Sequence, residues 1–304
     1  MKKTTNKATS SKLTIGPLFF HWSAEKRIDF YNRIADEADV DVVYLGEVVC
    51  SKREHFFEDH FMKTAERLQK SGKEVVFSTL ALVTSEREME NIHSRIKTKH
   101  MVEANDVACL AALEGKPHVV GPFINVFNES ARDFMIRNKA KRIVIPVEAS
   151  LDAIKLIANK SKAEMEVQVF GRQPLSVAMR CYSARAHGRQ KNGCQFVCGL
   201  SPDGLAAETL DGQQILAVNG TQTLSHGYAV SVEELPYLQK AGVTHFRLSP
   251  QDVDMVTVSS IYRSAIDQKI SAKEAMKKLR ALCKDVPFIN GFMRGSRGMD
   301  WVGD

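Results

Sequence analysis

The chain lacks any apolar run near the roughly 18–20 residues that a membrane-spanning helix needs. Its start, MKKTTNKATSSK, is basic and polar with no apolar stretch behind it, so no secretory leader is expected. Residues 1–12 read as a disordered polar tail, too short and too unpatterned for a transit peptide. No GxGxxG or Walker loop follows the first strand-like run, so the nucleotide-binding folds lose ground. Arginine-rich tracts, zinc-finger spacings and basic stripes interleaved with aromatics are missing too, and nucleic acid is not an expected partner. Internal repeats and low-complexity tracts are absent. The expected location is cytoplasmic.

What is present is an ordinary globular composition, 44% hydrophobic and 26% charged over 304 residues. That is enough apolar material for a large core without disulfide staples. A formal charge of +6 permits contact with RNA, an anionic metabolite or anionic lipid, but indicates none of them.

The dominant rhythm is a short β-branched run, a turn, an amphipathic stretch, then the next run. Strands are predicted over 13–20, 41–46, 74–80, 101–104, 118–122, 142–147, 164–170 and 244–248. Helices are predicted over 24–38, 54–71, 85–97, 128–139 and 151–160. In the first of these, Ile28, Tyr31, Ile34, Ala35 and Ala38 fall on one face, and Ser23 and Ser150 are placed to cap helix starts. Alternating β and α units imply a parallel sheet with right-handed crossovers, and eight strands favour a (β/α)8 TIM-barrel-like fold. Residues 13–304 then form a single barrel-like domain. Regularity breaks over about 171–224, a Gly-, Arg- and Cys-rich insertion after the seventh strand. Strand character returns only near 214–218, which suggests one inserted hairpin. Long irregular insertions in compact domains are usually functional.

Six cysteines divide into two groups. Cys109 and Cys283 sit among apolar residues and read as small core side chains. Cys181, Cys194 and Cys198 form C-x12-C-x3-C inside the insertion, and Cys50 follows the run VVYLGE. In a barrel, Cys50 lies at the end of the second strand and the triplet follows the seventh, on the face where barrel enzymes place their chemistry. Four thiolates gathered there suit a [4Fe–4S] cluster, which takes four cysteines. A structural zinc site usually comes as two short C-x2-4-C knuckles. On spacing alone a cluster, a zinc ion and unrelated thiols all stay open. Lys52, Arg53, Arg180, Arg185, Arg189 and Lys191 crowd these cysteines and would stabilise an anionic cluster or hold an anionic substrate. His21, His55, His60, His187 and His226 are scattered and read as surface or core residues.

The segments LGEVVCSKR, STLALV, VEAND, PVE, EVQVFGRQPLSVAMRCYSAR, LAVNGTQT and HFRLSPQ resemble, in this order, the anaerobic ubiquinone-biosynthesis branch of the collagenase-like peptidase superfamily. The likeness runs from about residue 13 to about residue 254. It implies a barrel and a [4Fe–4S] cluster held by Cys50, Cys181, Cys194 and Cys198. It also implies a heterodimer with a UbiU-like sibling subunit, and oxygen-independent hydroxylation of the aromatic ring of ubiquinone precursors. The superfamily's name promises a peptidase, but the chain shows neither HExxH nor a legible Ser–His–Asp or Cys–His arrangement. On this reading the cluster handles redox while Arg180, Arg185 and Arg247 position an anionic oxygen donor, conceivably prephenate. A lipid-binding accessory protein would deliver the prenylated ring. Two rivals stand beside it: an RNA-modifying hydroxylase of the same superfamily, and a non-enzymatic iron–sulfur redox protein or zinc-stabilised interaction protein.

Overall fold

Alternation along each strand sorts the side chains into two layers. In the computed structural model, which describes residues 11–303, seven parallel strands follow one another around a barrel. They are β1 (Lys12–Ile15), β2 (Val42–Leu45), β3 (Glu74–Ser78), β4 (Met101–Ala104), β5 (His118–Val120), β6 (Ala140–Val144) and β7 (Glu164–Gly171). The eighth barrel strand comes later in the chain, at His245–Leu248, and pairs in parallel with both β1 and β7 to close the ring. All eight expected strands are therefore the barrel strands. Of the expected tail, residues 1–10 lie outside the described residues, and Lys12 already belongs to β1.

The intervening helices include α1 (Ala24–Glu37), α2 (Glu58–Lys70) and α3 (Glu86–Ile96). Ser23 and Ser150 cap their helices as expected, accepting from the backbone N–H of Lys26 and Ala153. The segment expected to be helical from residue 54 is instead a 3-10 turn, Ser51–Phe56, followed by α2. Outward-facing Leu13, Ile15, Val43, Leu45, Val75, Phe77, Phe246 and Leu248 pack under the helices in the main core. Cys109 and Cys283 belong to that core, and burial pushes each thiol up to about 11.

The inward layer joins the apolar cluster of Val42, Val76, Val119 and Val144, the branched residues barrels usually carry there, to a buried polar network. Arg247, on the eighth strand, donates through Nε to Glu166 Oε1 at 2.8 Å and through Nη2 to Glu103 Oε1 at 2.7 Å. Its guanidinium lies 4.1 Å from the Tyr44 ring centroid. Thr14 and Tyr44 donate to Glu166, Ser78 donates to Glu103, and Arg142 reaches Tyr44, Glu74 and Glu164. Burial alone would raise the Glu166 carboxyl, but Arg247 and Arg142 outweigh it and hold the group at about 2.

After β7 the chain leaves the barrel. The insertion builds a four-stranded antiparallel sheet of β8 (Pro174–Val177), β9 (Leu205–Glu208), β10 (Gln214–Asn219) and β11 (Gln222–Ser225), in the order β8-β11-β10-β9. This corrects the expectation of one hairpin. The outer strands β8 and β9 are short and only partly buried, so no clear hydrophobic period marks them. The sheet docks onto the C-terminal face of the barrel. Leu18, Phe19, Phe20 and Trp22 of the β1–α1 loop and Val48 and Val49 after β2 pack with Ala217 and Leu224. Burying such a set contributes on the order of 10 kcal/mol at the upper limit, enough to fix the insertion on the barrel. A further strand, β12 (Tyr228–Val230), then runs antiparallel beside β7 before the chain re-enters the barrel. No helix among the described residues is long and apolar enough to cross a membrane.

Candidate functional site

The four cysteines, spread over almost 150 residues of sequence, line one small cavity where the insertion meets the end of β2. Each stands at a break in regular structure. Cys50 precedes the 3-10 turn Ser51–Phe56. Cys181 caps the short helix Tyr182–Ala186, its Sγ accepting from the Ala184 N–H at 3.4 Å. Cys194 follows the turn Lys191–Gly193, and Cys198 lies within Val197–Leu200. Turns of this kind leave backbone N–H groups free to point at a bound anion.

Arg53 holds the two halves of the cavity together. It is buried, donating through Nη1 to the Phe19 carbonyl at 3.0 Å and through Nη2 to Asn219 Oδ1 at 2.7 Å. Glu47 lies 3.9 Å away and accepts from the N–H of Val49 and of Cys50. Asn219 passes the constraint on, donating to the carbonyls of Cys198 and Ser201, each at 2.9 Å. Thr221 Oγ1 donates to the Val49 carbonyl, and Lys52 donates to the carbonyls of Lys191 and Asn192. Gly220, in the β10–β11 turn, has φ +70°, and a Cβ there would stand 2.3 Å from Arg53 Nη2. Only glycine lets the turn approach the guanidinium this closely.

The thiols feel opposing influences. Burial raises the Cys50 and Cys198 thiols, and the nearby Arg53 charge pulls both down. Among the described residues no three His, Cys, Asp or Glu side chains are gathered as they would be around a single metal ion. The four thiols nevertheless line one cavity with the buried Arg53 beside them, a donor set whose chemistry fits a four-cysteine, anionic cluster.

Of the three arginines expected to bind a donor, none lines this cavity. Arg180 and Arg185 are exposed on the insertion. Arg247 lies inside the barrel with its hydrogen bonds committed to Glu166 and Glu103. A charged residue on the inner face of a strand has the same sequence signature as one at the strand's end, and only the folded chain shows which of the two Arg247 is. Arg53, Lys52 and Lys191 are the cations at the cavity. Asn219 and Gly220 escaped attention as site residues, although an Asn-Gly pair is a strong hairpin signal that would have located the turn.

A model of the family described as "Peptidase family U32" matches residues 23–303. Among solved structures, the DAHP synthase of Thermotoga maritima is 11% identical, with 93% of this chain and 71% of that one covered at a TM-score of 0.42. The dihydropteroate synthase of Thermus thermophilus is 12% identical, covering 89% and 96% at 0.41. That of Xanthomonas albilineans with 4-aminobenzoic acid is 11% identical, covering 88% and 93% at 0.43. Likenesses of this size carry no argument about ligands or chemistry. The family match spans nearly the whole barrel and its insertion, and the chain belongs to peptidase family U32.

Proposed function

We propose that this chain is the [4Fe–4S] subunit of an oxygen-independent hydroxylase acting on the aromatic rings of ubiquinone precursors, a UbiV-like role. Cys50, Cys181, Cys194 and Cys198 are the proposed ligands. The observation that carries the reading is their convergence on one cavity beside the buried Arg53. When bound, a four-cysteine cluster supplies electron transfer, since its irons have no open position for substrate. The chain's own residues hold the thiols in place. Arg53 and Asn219 lock the insertion to the β2 loop, and the guanidinium balances negative charge in a site largely shielded from water. The proposed partner is a UbiU-like sibling subunit. An anionic oxygen donor and a lipid-binding accessory protein complete the expected assembly, and the exposed Arg180 and Arg185 are free to meet any of these.

Anaerobic purification followed by an absorbance scan and iron and sulfide counts tests the assignment. A broad band near about 400 nm and about four irons per chain, lost in both Cys50→Ala and Cys194→Ala, is expected. A colourless protein with one zinc, or colour that survives the loss of Cys50, would remove the cluster from the proposal. Ring hydroxylation assayed with the sibling subunit then tests the activity.

A further inference from the structure

A second cavity lies outside the barrel wall, between α1, α2 and α3. It measures about 220 Å3 and is walled by Phe57, Phe61 and Phe77, with Arg27, Asn91 and Arg95 supplying the polar groups. A cavity of about 150 Å3 accepts benzene, so this one has space for a ring bearing a small substituent.

Its cations are poorly served by the protein. Arg27 is only 6% exposed, yet its Nε has no protein partner. Its Nη2 reaches the Gly46 carbonyl only at 3.5 Å, the outer limit of a hydrogen bond. Arg95 makes an ion pair with Glu54 at 3.8 Å, too long for a hydrogen bond, while Glu54 itself accepts from Asn91 Nδ2 at 2.8 Å. Each guanidinium is stacked on a phenylalanine, Arg27 at 4.2 Å from the Phe57 centroid and Arg95 at 4.2 Å from that of Phe61. Stacking occupies the faces and leaves the in-plane N–H forks free for bidentate acceptance by a carboxylate. Burial lowers the Arg95 pKa, Glu54 opposes that shift, and the like charge of Arg27 adds to it.

The other charges in the cavity set its selectivity. Glu47 is engaged by the N–H groups of Val49 and Cys50, and Glu54 by Asn91. Glu47 is as buried as Arg27 but lies beside Arg53 at 3.9 Å, while Glu54 is partly buried and Glu58 exposed towards the opening. This arrangement accepts one negative charge deep inside and disfavours a second near the opening.

We propose that this cavity binds a small aromatic monocarboxylate, with its carboxylate between Arg27 and Arg95 and its ring against the phenylalanines. The proposal rests on this cavity alone and not on the cluster reading.

Calorimetric titration of benzoate into the purified full chain tests it. Saturable one-to-one binding is expected, with benzyl alcohol and inorganic phosphate each at least about tenfold weaker, because each lacks one half of the recognition. Arg95→Met should weaken benzoate roughly ten- to a hundredfold. Ser94→Leu, which fills the cavity from α3, should abolish binding while the near-ultraviolet circular dichroism stays native. Cys194→Ala should bind benzoate like the wild type, separating this result from the fate of the cluster. No saturable benzoate binding, phosphate binding as tight as benzoate, or unchanged affinity in both Arg95→Met and Ser94→Leu would each overturn the proposal.

Discussion

Replacing Arg53 with methionine isolates the residue that joins the insertion to the barrel. The side chain is almost completely buried and makes two hydrogen bonds, to the Phe19 carbonyl and Asn219 Oδ1, beside the Glu47 carboxylate. Methionine keeps much of the volume but leaves Glu47 and Asn219 Oδ1 buried without their cation. Removing one partner of a buried charged pair typically costs about 3–5 kcal/mol, a large share of a total stability of about 5–15 kcal/mol. Arg53→Lys keeps the charge but cannot span both acceptors, so one charge-assisted hydrogen bond is lost, at about 1.5–3 kcal/mol. Urea unfolding of cluster-free protein measures both numbers without interference from bound iron. Iron and sulfide counts after anaerobic reconstitution should fall in the same order, wild type above lysine above methionine. A methionine variant that loses less than about 1 kcal/mol would refute the reasoning. So would full iron loading in a variant destabilised as expected, because the cavity would then not depend on this strut.

Further outcomes follow from the same geometry. Gly220→Ala puts a Cβ into a left-handed residue and against Arg53 Nη2, and should lose about 2 kcal/mol or more together with most of the reconstituted iron; an alanine variant as stable as wild type would contradict the close approach. Arg247→Met strands Glu103 and Glu166 inside the barrel and should cost about 3–5 kcal/mol in urea unfolding while leaving benzoate affinity unchanged, whereas a loss of affinity without destabilisation would return Arg247 to a binding role. Acid should weaken the fold in two stages. Burial, with Arg142 adding to it, holds the His245 pKa down at about 4 instead of 6.5, so the unfolded chain binds a proton there that the folded chain refuses. That stability is complete above pH 6.5 and is lost as the pH falls towards 4, on the order of 3 kcal/mol in all, and His245→Gln should flatten the slope. Below pH 4.5 the depressed Glu166 adds a loss of the same sign, down towards pH 2. A His245→Gln protein with the wild-type slope would show that another group governs the first stage.

The sequence by itself determined the barrel. Eight short β-branched runs separated by helical stretches favour a closed barrel over an open doubly wound sheet, and β1 to β7 with His245–Leu248 form that barrel. It also determined which cysteines are core, because Cys109 and Cys283 sit in apolar helical surroundings. Spacing left the relation of the other four open, the family likeness assigned them to one site, and only the folded chain puts them around one cavity. That step depends on docking the insertion sheet onto the β1 and β2 loops, and its strands carry little periodic signal. Tertiary structure alone decided which arginines matter. Arg247, Arg53 and Arg27 are chemically identical in the sequence, yet one is sealed between two carboxylates, one braces the cysteines and one lacks a strong acceptor. A guanidinium's role is set by the acceptors within about 3 Å of it, and residues far apart in the chain supply them.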